Sequence, residues 1–542
     1  MPGSSSPRSA SWVAAVVVLT AAYVVLAGAA VADDRYLHDE GLLTHLLASL
    51  VGRAPAATLL LQKARPPLAL LYAPIAGLGL GPFLWAHVLV CALAVPLVGA
   101  TAARLGHARP ELAAAVVALS PMFVAAGAGG LMNADAVVGL SAVAWLWSGR
   151  RLLAAGVVMG LLVWVRAELA VVALVLAGWS LWRRQPRLLL GLALGPLAYG
   201  LVGAVYHREL LWMLRFPPAL SEPMPDNPFW QSHHGVASLP VVAGALLAIT
   251  PAIALLGIWR RKGGGELEQV GLLSVGLLVV ALVVLPRWQV FNFDLSPRYL
   301  LPALPFVALA IGRVSEALGP DDDAASGLRR GLGLGALAVL AIVIERAGGG
   351  TLSLVAVASA AGLVALAGAG YSRTARLGLG ALLAAGPLAF GDGARLARRL
   401  HSPALDQAVA RLREHPQWQA RPIYTNEPLL DAYLRRGGGL PDREVHYLVQ
   451  ADQLYELTTL SNPDNGQRAA LLAALREGFY GIPVLPDELD PASVPAGAVF
   501  VLREDARLSL VMPPERWDPW LRVVHPGVGL RVAVRTEGQG RP

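Results

Sequence analysis

The sequence predicts a polytopic α-helical membrane protein carrying a small α/β domain at its C-terminal end. Three observations lead there. Residues of the apolar and aromatic set make up 55% of the 542-residue chain, charged residues only 15%, and the mean hydropathy is +0.55. A soluble domain is about a quarter charged. Apolar runs near the length of a bilayer-crossing helix recur from residue 11 to residue 391, and beyond that point the composition turns polar, with more Pro and more charge.

A helix needs roughly 20 apolar residues to cross a bilayer, because no water is present there to satisfy exposed backbone groups. Residues 11–31 meet this requirement. Ala30-Val31-Ala32 resembles a signal-peptidase site, but the apolar run is longer than a signal h-region and only Arg8 precedes it. An uncleaved first span is therefore expected, and residue 33 starts on the outer side in either case. Further runs lie at 83–103, 111–127, 134–148, 152–164, 168–182, 187–206, 239–259, 270–286, 299–313, 331–346, 352–370 and 377–391. Together they give about 13 spans. Arginines cluster on alternate connections: Arg104 with Arg109, Arg150-Arg151, Arg183-Arg184, Arg260-Arg261, Arg329-Arg330, and Arg373 with Arg376. The positive-inside rule makes those connections cytoplasmic, with the N-terminus inside and the chain beyond residue 391 outside. The same arginines account for the net charge of +7, so the basic balance does not point to nucleic acid. The single cysteine, Cys91, lies in an apolar run and reads as a buried thiol.

This reading divides the chain into a membrane domain, residues 1–391, and an extracytoplasmic α/β domain, residues 392–542. In the latter, Arg421–Asn426 reads as a strand leading to a helix around Leu429–Arg435, and Ala498–Leu502 and Leu530–Val534 read as further strands. The outer loops 32–82, 207–238 and 287–298 are long enough to hold chemistry. Asp321-Asp322-Asp323 falls on a cytoplasmic loop and reads as a solvated turn.

Loop 32–82 is the most informative. Asp39 and Glu40 open a stretch with apolar residues at 42, 43, 46, 47 and 50, the spacing of an amphipathic helix along the membrane surface. Its carboxylates either stand at the rim of the bilayer or simply cap the helix. Lys63 and Arg65 precede Pro66-Pro67 and run against the positive-inside trend, which suits an anionic head group, since an arginine can hold phosphate by two parallel hydrogen bonds. Asn133-Ala134-Asp135 stands where the third span ends outside; an ionisable group at such an edge needs a partner or a cavity. Arg166 and Glu168 interrupt the run 152–182, which reads as two short spans joined by a turn; they form an ion pair across it, or Arg166 contacts phosphate. His233-His234 on loop 207–238 offers head-group or divalent-cation ligands without a metal-site spacing. Arg298-Tyr299 closes the outer set at an expected membrane–water interface.

In this order and on one side of the membrane, these residues resemble the GT-C superfamily of membrane glycosyltransferases. The nearer resemblance is to the protein mannosyltransferase-like and aminoarabinose-transferase-like enzymes of bacteria. Asp39-Glu40, Arg65-Pro-Pro-Leu, Asn133-Ala-Asp135 and Arg298-Tyr-Leu-Leu-Pro-Ala-Leu-Pro carry it, over roughly residues 10–391. The resemblance implies a protein of the bacterial inner membrane that moves a sugar from a polyprenyl-phosphate donor to a glycan, lipid or protein acceptor outside. It implies Asp39 as the base, with Glu40 or Asp135 orienting it or holding the acceptor. Arg65 would neutralise the leaving phosphate, with Lys63, Arg166 or Arg298 assisting. A single displacement would invert the anomeric centre. Asp33 and Asp34 compete with Asp39 for the base role. No cofactor is implied with certainty, and a divalent cation stays open. A lipid or glycan transporter would also place arginines and acidic gates on a cavity, but nearer mid-membrane and without a large outer domain. A non-catalytic envelope-assembly protein is a third reading.

Overall fold

The structure, a computed structural model, describes residues 7–32, 39–52, 55–60, 65–215, 265–287, 297–317, 403–427, 430, 434, 444–448, 490–503, 520–526 and 530–536. They fall into two compact units. One comprises Met1–Gly28, Trp85–Leu201 and Leu220–Ala397, the other Ala29–Leu84, Val202–Ala219 and Arg398–Pro542.

The helices follow the apolar runs. They are α1 (Pro7–Ala32), α2 (Asp39–Leu50), α3 (Pro55–Leu59), α4 (Pro66–Ala76), α5 (Leu80–Ala92), α6 (Ala94–Arg104), α7 (Pro110–Ala118), α8 (Pro121–Ala128), α9 (Met132–Ser148), α10 (Leu152–Leu162), α11 (Leu169–Trp182), α12 (Pro186–His207), α13 (Trp212–Arg215), α14 (Glu266–Arg287), α15 (Leu304–Ala317) and α16 (Pro403–Glu414). Among the described residues, Trp12–Ala32, Leu80–Arg104 and Pro186–Tyr206 are long and apolar enough to cross a bilayer. At 1.5 Å per residue a helix of this length reaches about 30 Å, the thickness of the hydrocarbon core. The chain is a membrane protein. Its helices turn large apolar side chains outward, as at Val18 (66% exposed), Leu174 (72%) and Leu197 (60%), a surface that suits lipid and not water. The apolar runs 239–259, 331–346, 352–370 and 377–391 lie outside the described residues.

The run at 111–127 is broken. Ser120, just before Pro121, takes an extended backbone (φ −67°, ψ 112°), and α7 and α8 meet at 55°. The proline ring disfavours a helical residue before it, so the helix stops and restarts. Residues 152–182 divide as their length predicts, into α10 and α11 with a turn between. In the first unit α6 packs on α7 and α9, α9 on α10, α15 on α7, and α11 on α14. Where the ends of α14 and α15 approach the α6–α7 connection, the buried Glu268 carboxylate accepts from His107 Nε2 (2.8 Å) and Arg313 Nε (3.0 Å), while Arg313 also donates to the Leu105 carbonyl. Three segments are thereby tied by one charge cluster.

In the second unit the C-terminal region builds a five-stranded mixed sheet from β1 (Ile423–Thr425), β2 (Val445–Tyr447), β3 (Val499–Arg503), β4 (Leu521–Pro526) and β5 (Leu530–Arg535), in the order β2-β1-β3-β5-β4. β1 pairs in parallel with β2 and β3, and β5 runs antiparallel to β3 and β4. Tyr424, Leu448, Ala498, Phe500, Leu502 and Ala533 form its core. Val499 and Val501, which alternate with Phe500 along β3, are fully buried too, so β3 is covered on both faces. Amphipathic α16 packs on β5, with Leu405, Ala408, Val409 and Leu412 buried at helical spacing. The sequence-expected strands at β1, β3 and β5 are present. Of the helix expected around Leu429–Arg435 only Leu430 and Leu434 are described, both buried.

Candidate active-site residues

The acidic and basic ends of loop 32–82 are carried by two helices that pack on each other, α2 and α4. Asp39 is the first residue of α2; its side chain lies outside the described set. Glu40 follows, half-buried, and its carbonyl accepts from Thr44 Oγ1 (2.9 Å). Arg65 is the N-cap of α4, where its carbonyl accepts from the amides of Leu68 and Ala69 (both 2.9 Å). Pro66 fits the first turn because its missing N–H has no partner to lose there. His45 Nε2 lies 3.1 Å from the Ala76 carbonyl, fixing the middle of α2 to the far end of α4, with Phe83 against both His45 and Tyr72. Arg65 starts α4 about 16 Å from that contact. One expectation is corrected. α2 does not divide into one buried apolar face and one open polar face: Thr44 and His45 are buried along with Leu46 and Leu47, while Leu43 and Ser49 are partly exposed.

The first unit carries the other candidates. Asp135 stands in the first turn of α9, and its Oδ2 is 3.0 Å from Nε2 of the fully buried His87 on α5. The other ring nitrogen, Nδ1, lies 2.7 Å from the carbonyl of Gly127 on α8. A carbonyl can only accept, so Nδ1 is the donor in that contact, and Nε2 faces the Asp135 carboxylate. The couple joins α5, α8 and α9, and a paired partner of this kind is how an ionisable residue is held inside a span. Arg166, in the turn between α10 and α11, donates through Nε to Glu168 Oε1 (2.7 Å), both side chains buried. Its guanidinium lies 4.6 Å from the centre of the Tyr299 ring. That contact brings together the two-residue ion pair and the 3₁₀ helix Pro297–Ala303, which contains Arg298 and packs on α8 and α9. The Arg298 side chain, Lys63, His233, His234, Asp33 and Asp34 lie outside the described residues. Among the described residues no three His, Cys, Asp or Glu side chains gather as a metal site. A groove of about 710 Å³ between α11 and α14, lined by Leu174, Trp182, Arg183 and Glu266, holds none of the sequence-predicted site residues.

No family model and no curated protein matches the chain. Solved structures do. The apo crystal structure of ArnT from Cupriavidus metallidurans superposes with a TM-score of 0.51 at 17% identity, over 98% of this chain and 99% of that one. The crystal structure of the same protein bound to undecaprenyl phosphate gives a TM-score of 0.49, also at 17% identity, over 99% and 100%. This chain has the fold of that apo ArnT structure.

Within that fold the sequence singles out Asp135, and Arg166 with its ion-pair partner Glu168, but misses His87 and the ring of Tyr299. His87 sits in an otherwise apolar run, 48 residues from Asp135, and no local spacing connects them. Tyr299 is legible only as an interfacial aromatic, whereas its ring closes over a charge from another span. Cys91 is fully buried, as its surroundings predict, with its sulfur 3.7 Å from His87 Nδ1.

Proposed function

We propose that the protein is a glycosyltransferase that moves a sugar from a polyprenyl-phosphate donor to an acceptor at the outer face of the membrane. What carries the reading is the end-to-end correspondence with the apo ArnT fold in a chain whose acidic and arginine motifs sit on the packed pair α2 and α4. An acceptor hydroxyl is a poor nucleophile, and a carboxylate that takes its proton during attack accelerates transfer by about 10²–10⁴. Asp39 is assigned that role, with Glu40 beside it. The leaving group is a phosphate, which needs its charge neutralised more than it needs a proton. Arg65 and Lys63 on the same loop supply that charge, with Arg298 assisting. Arg166 is committed to Glu168, so its contribution to phosphate is the weaker one. Asp135, held by His87, orients the acceptor. The arginine-marked connections are assigned to the cytoplasm and the mixed sheet to the outer side of the bacterial inner membrane, where His233 and His234 stand ready for a head group or a cation.

The test uses the full-length protein in lipid, radiolabelled polyprenyl-phosphate sugars and a crude acceptor extract, following release of the lipid phosphate. Wild type is expected to release it, while Asp39→Asn and Arg65→Ala each fall by about 100-fold or more. Equal release by all three proteins removes the assigned site. Movement of a donor between vesicles without release makes the protein a transporter instead.

A further inference from the structure

Asn133 lies in the first turn of α9 and is fully buried. Neither its side-chain nitrogen nor its side-chain oxygen meets a hydrogen-bond partner among the described residues. Buried polar groups on α5, α6 and further along α9 are served: Ser141 donates to the Val137 carbonyl, Thr101 to the Leu97 carbonyl, and His87 joins Gly127 to Asp135. Asn133 cannot join that last couple through its own helix, because side chains two residues apart leave a helix about 200° from each other. A buried amide with both ends unpaired is costly, and an apolar side chain of similar shape would serve the fold better. The residue is therefore kept for something other than packing.

The chemistry of the group restricts what that is. A carboxamide is uncharged and presents one acceptor beside two donor hydrogens. A phosphate offers only acceptors and would face the amide oxygen with negative charge. A pair of adjacent ring hydroxyls, each able both to donate and to accept, matches the amide at both ends. We propose that Asn133 recognises the sugar of the polyprenyl-phosphate donor, its oxygen accepting from one ring hydroxyl and its nitrogen donating to the next. This deepens the transferase reading and rests on it. The position agrees with the sequence, which places Asn133 at the outer end of a span beside Asp135.

The experiment compares full-length wild type with Asn133→Leu and Asn133→Ser in nanodiscs. Thermal unfolding is followed without ligand, with undecaprenyl phosphate, and with undecaprenyl phosphate bearing mannose or 4-amino-4-deoxyarabinose. Wild type is expected to gain more from one of the sugar-bearing lipids than from the bare lipid phosphate. Asn133→Leu should unfold at or above the ligand-free wild-type temperature, keep the shift given by bare lipid phosphate, and lose the increment given by the sugar. Asn133→Ser, which keeps a polar group but shortens it, should lose that increment as well. In transfer assays both variants should raise KM for the donor about tenfold with a smaller change in kcat. A lowered ligand-free unfolding temperature with the sugar increment intact would make Asn133 a structural residue and overturn the proposal, as would a wild type that gains nothing from either sugar. A wild type that distinguishes the sugar yet releases no lipid phosphate leaves recognition by Asn133 standing and sinks the transferase reading alone.

Discussion

His87 and Asp135 show what a single buried pair can decide. Each is nearly inaccessible, and the two are joined at 3.0 Å. Replacing His87 by Leu would take the 3.0 Å contact from the Asp135 carboxylate and the donor from the Gly127 carbonyl, and breaking a buried pair costs about 3–5 kcal/mol. Replacing both members by Leu removes the polar demand together with its supply, so the double variant should recover most of the stability that either single variant loses. Unfolding in mixed micelles of the two single variants and the double would measure this. A double variant as unstable as the sum of the singles would mean that the two residues act separately. The same double variant, if folded, isolates the part of Asp135 in transfer from its part in the fold. The sequence could flag Asp135, because a carboxylate at a span edge requires a partner. It could not supply the partner's identity, because His87 is joined to Asp135 through tertiary packing and not through any local repeat.

Between elements the decisive contacts are made by absence of side chain. Gly156 and Gly160 on α10 face Gly191 and Gly195 on α12, each pair spaced four residues apart along its helix. A Cβ on Gly156 would strike the Leu188 carbonyl and come within 2.9 Å of the Gly191 Cα; one on Gly160 would meet the Leu192 carbonyl at 2.6 Å. Close backbone approach of this kind replaces the hydrophobic drive that lipid cannot supply. Gly156→Leu should therefore cost about 1–3 kcal/mol or more and lower the yield of monodisperse protein. Gly178→Ala on α11, where a Cβ meets nothing within 4 Å, should be neutral or slightly stabilising. Equal behaviour of the two variants in a thermal-stability assay would remove the backbone-contact account. Element existence was largely legible, because a bilayer demands long apolar helices and the sequence has them. The breaks were less so. Pro121 is visible in the run 111–127 but the 55° angle between α7 and α8 is not, and the burial of Thr44 and His45 on α2 comes from tertiary packing that a polarity pattern does not record. Arg150 and Arg184, legible as topology markers, also end α9 and α11 in the left-handed region, at φ of 60° and 53°, where their charge favours the helix C-terminus. A pattern of hydrophobicity cannot show that second role, since it records polarity and not dihedral angle.

At the scale of the whole molecule, the open quantity is which side of the membrane each part occupies, and the sequence makes a sharp statement about it. Arginine-rich connections should face the cytoplasm and the sheet-bearing C-terminal region should face outward. The chain is suited to testing this because its one cysteine, Cys91, is fully buried and already silent towards a polar reagent. In a Cys91→Ala background, a cysteine at exposed Gln407 on α16 should react with a membrane-impermeant maleimide in intact spheroplasts. A cysteine at exposed Arg151, between α9 and α10, should react only after the membrane is opened. The two sites report independently, so the comparison discriminates. Reversal of both would invert the whole topology and carry the Asp39–Arg65 loop to the cytoplasmic side, away from any acceptor outside. Labelling of both in intact cells would put 151 and 407 on the same side, with an even number of spans between them where the arginine pattern requires an odd one, and would break the span count. Labelling at 407 alone places the first loop and the sheet on the same side as the proposed transfer. That is the arrangement a lipid-linked donor requires, because its phosphate and sugar must meet the acceptor in water while its polyprenyl chain remains in the bilayer.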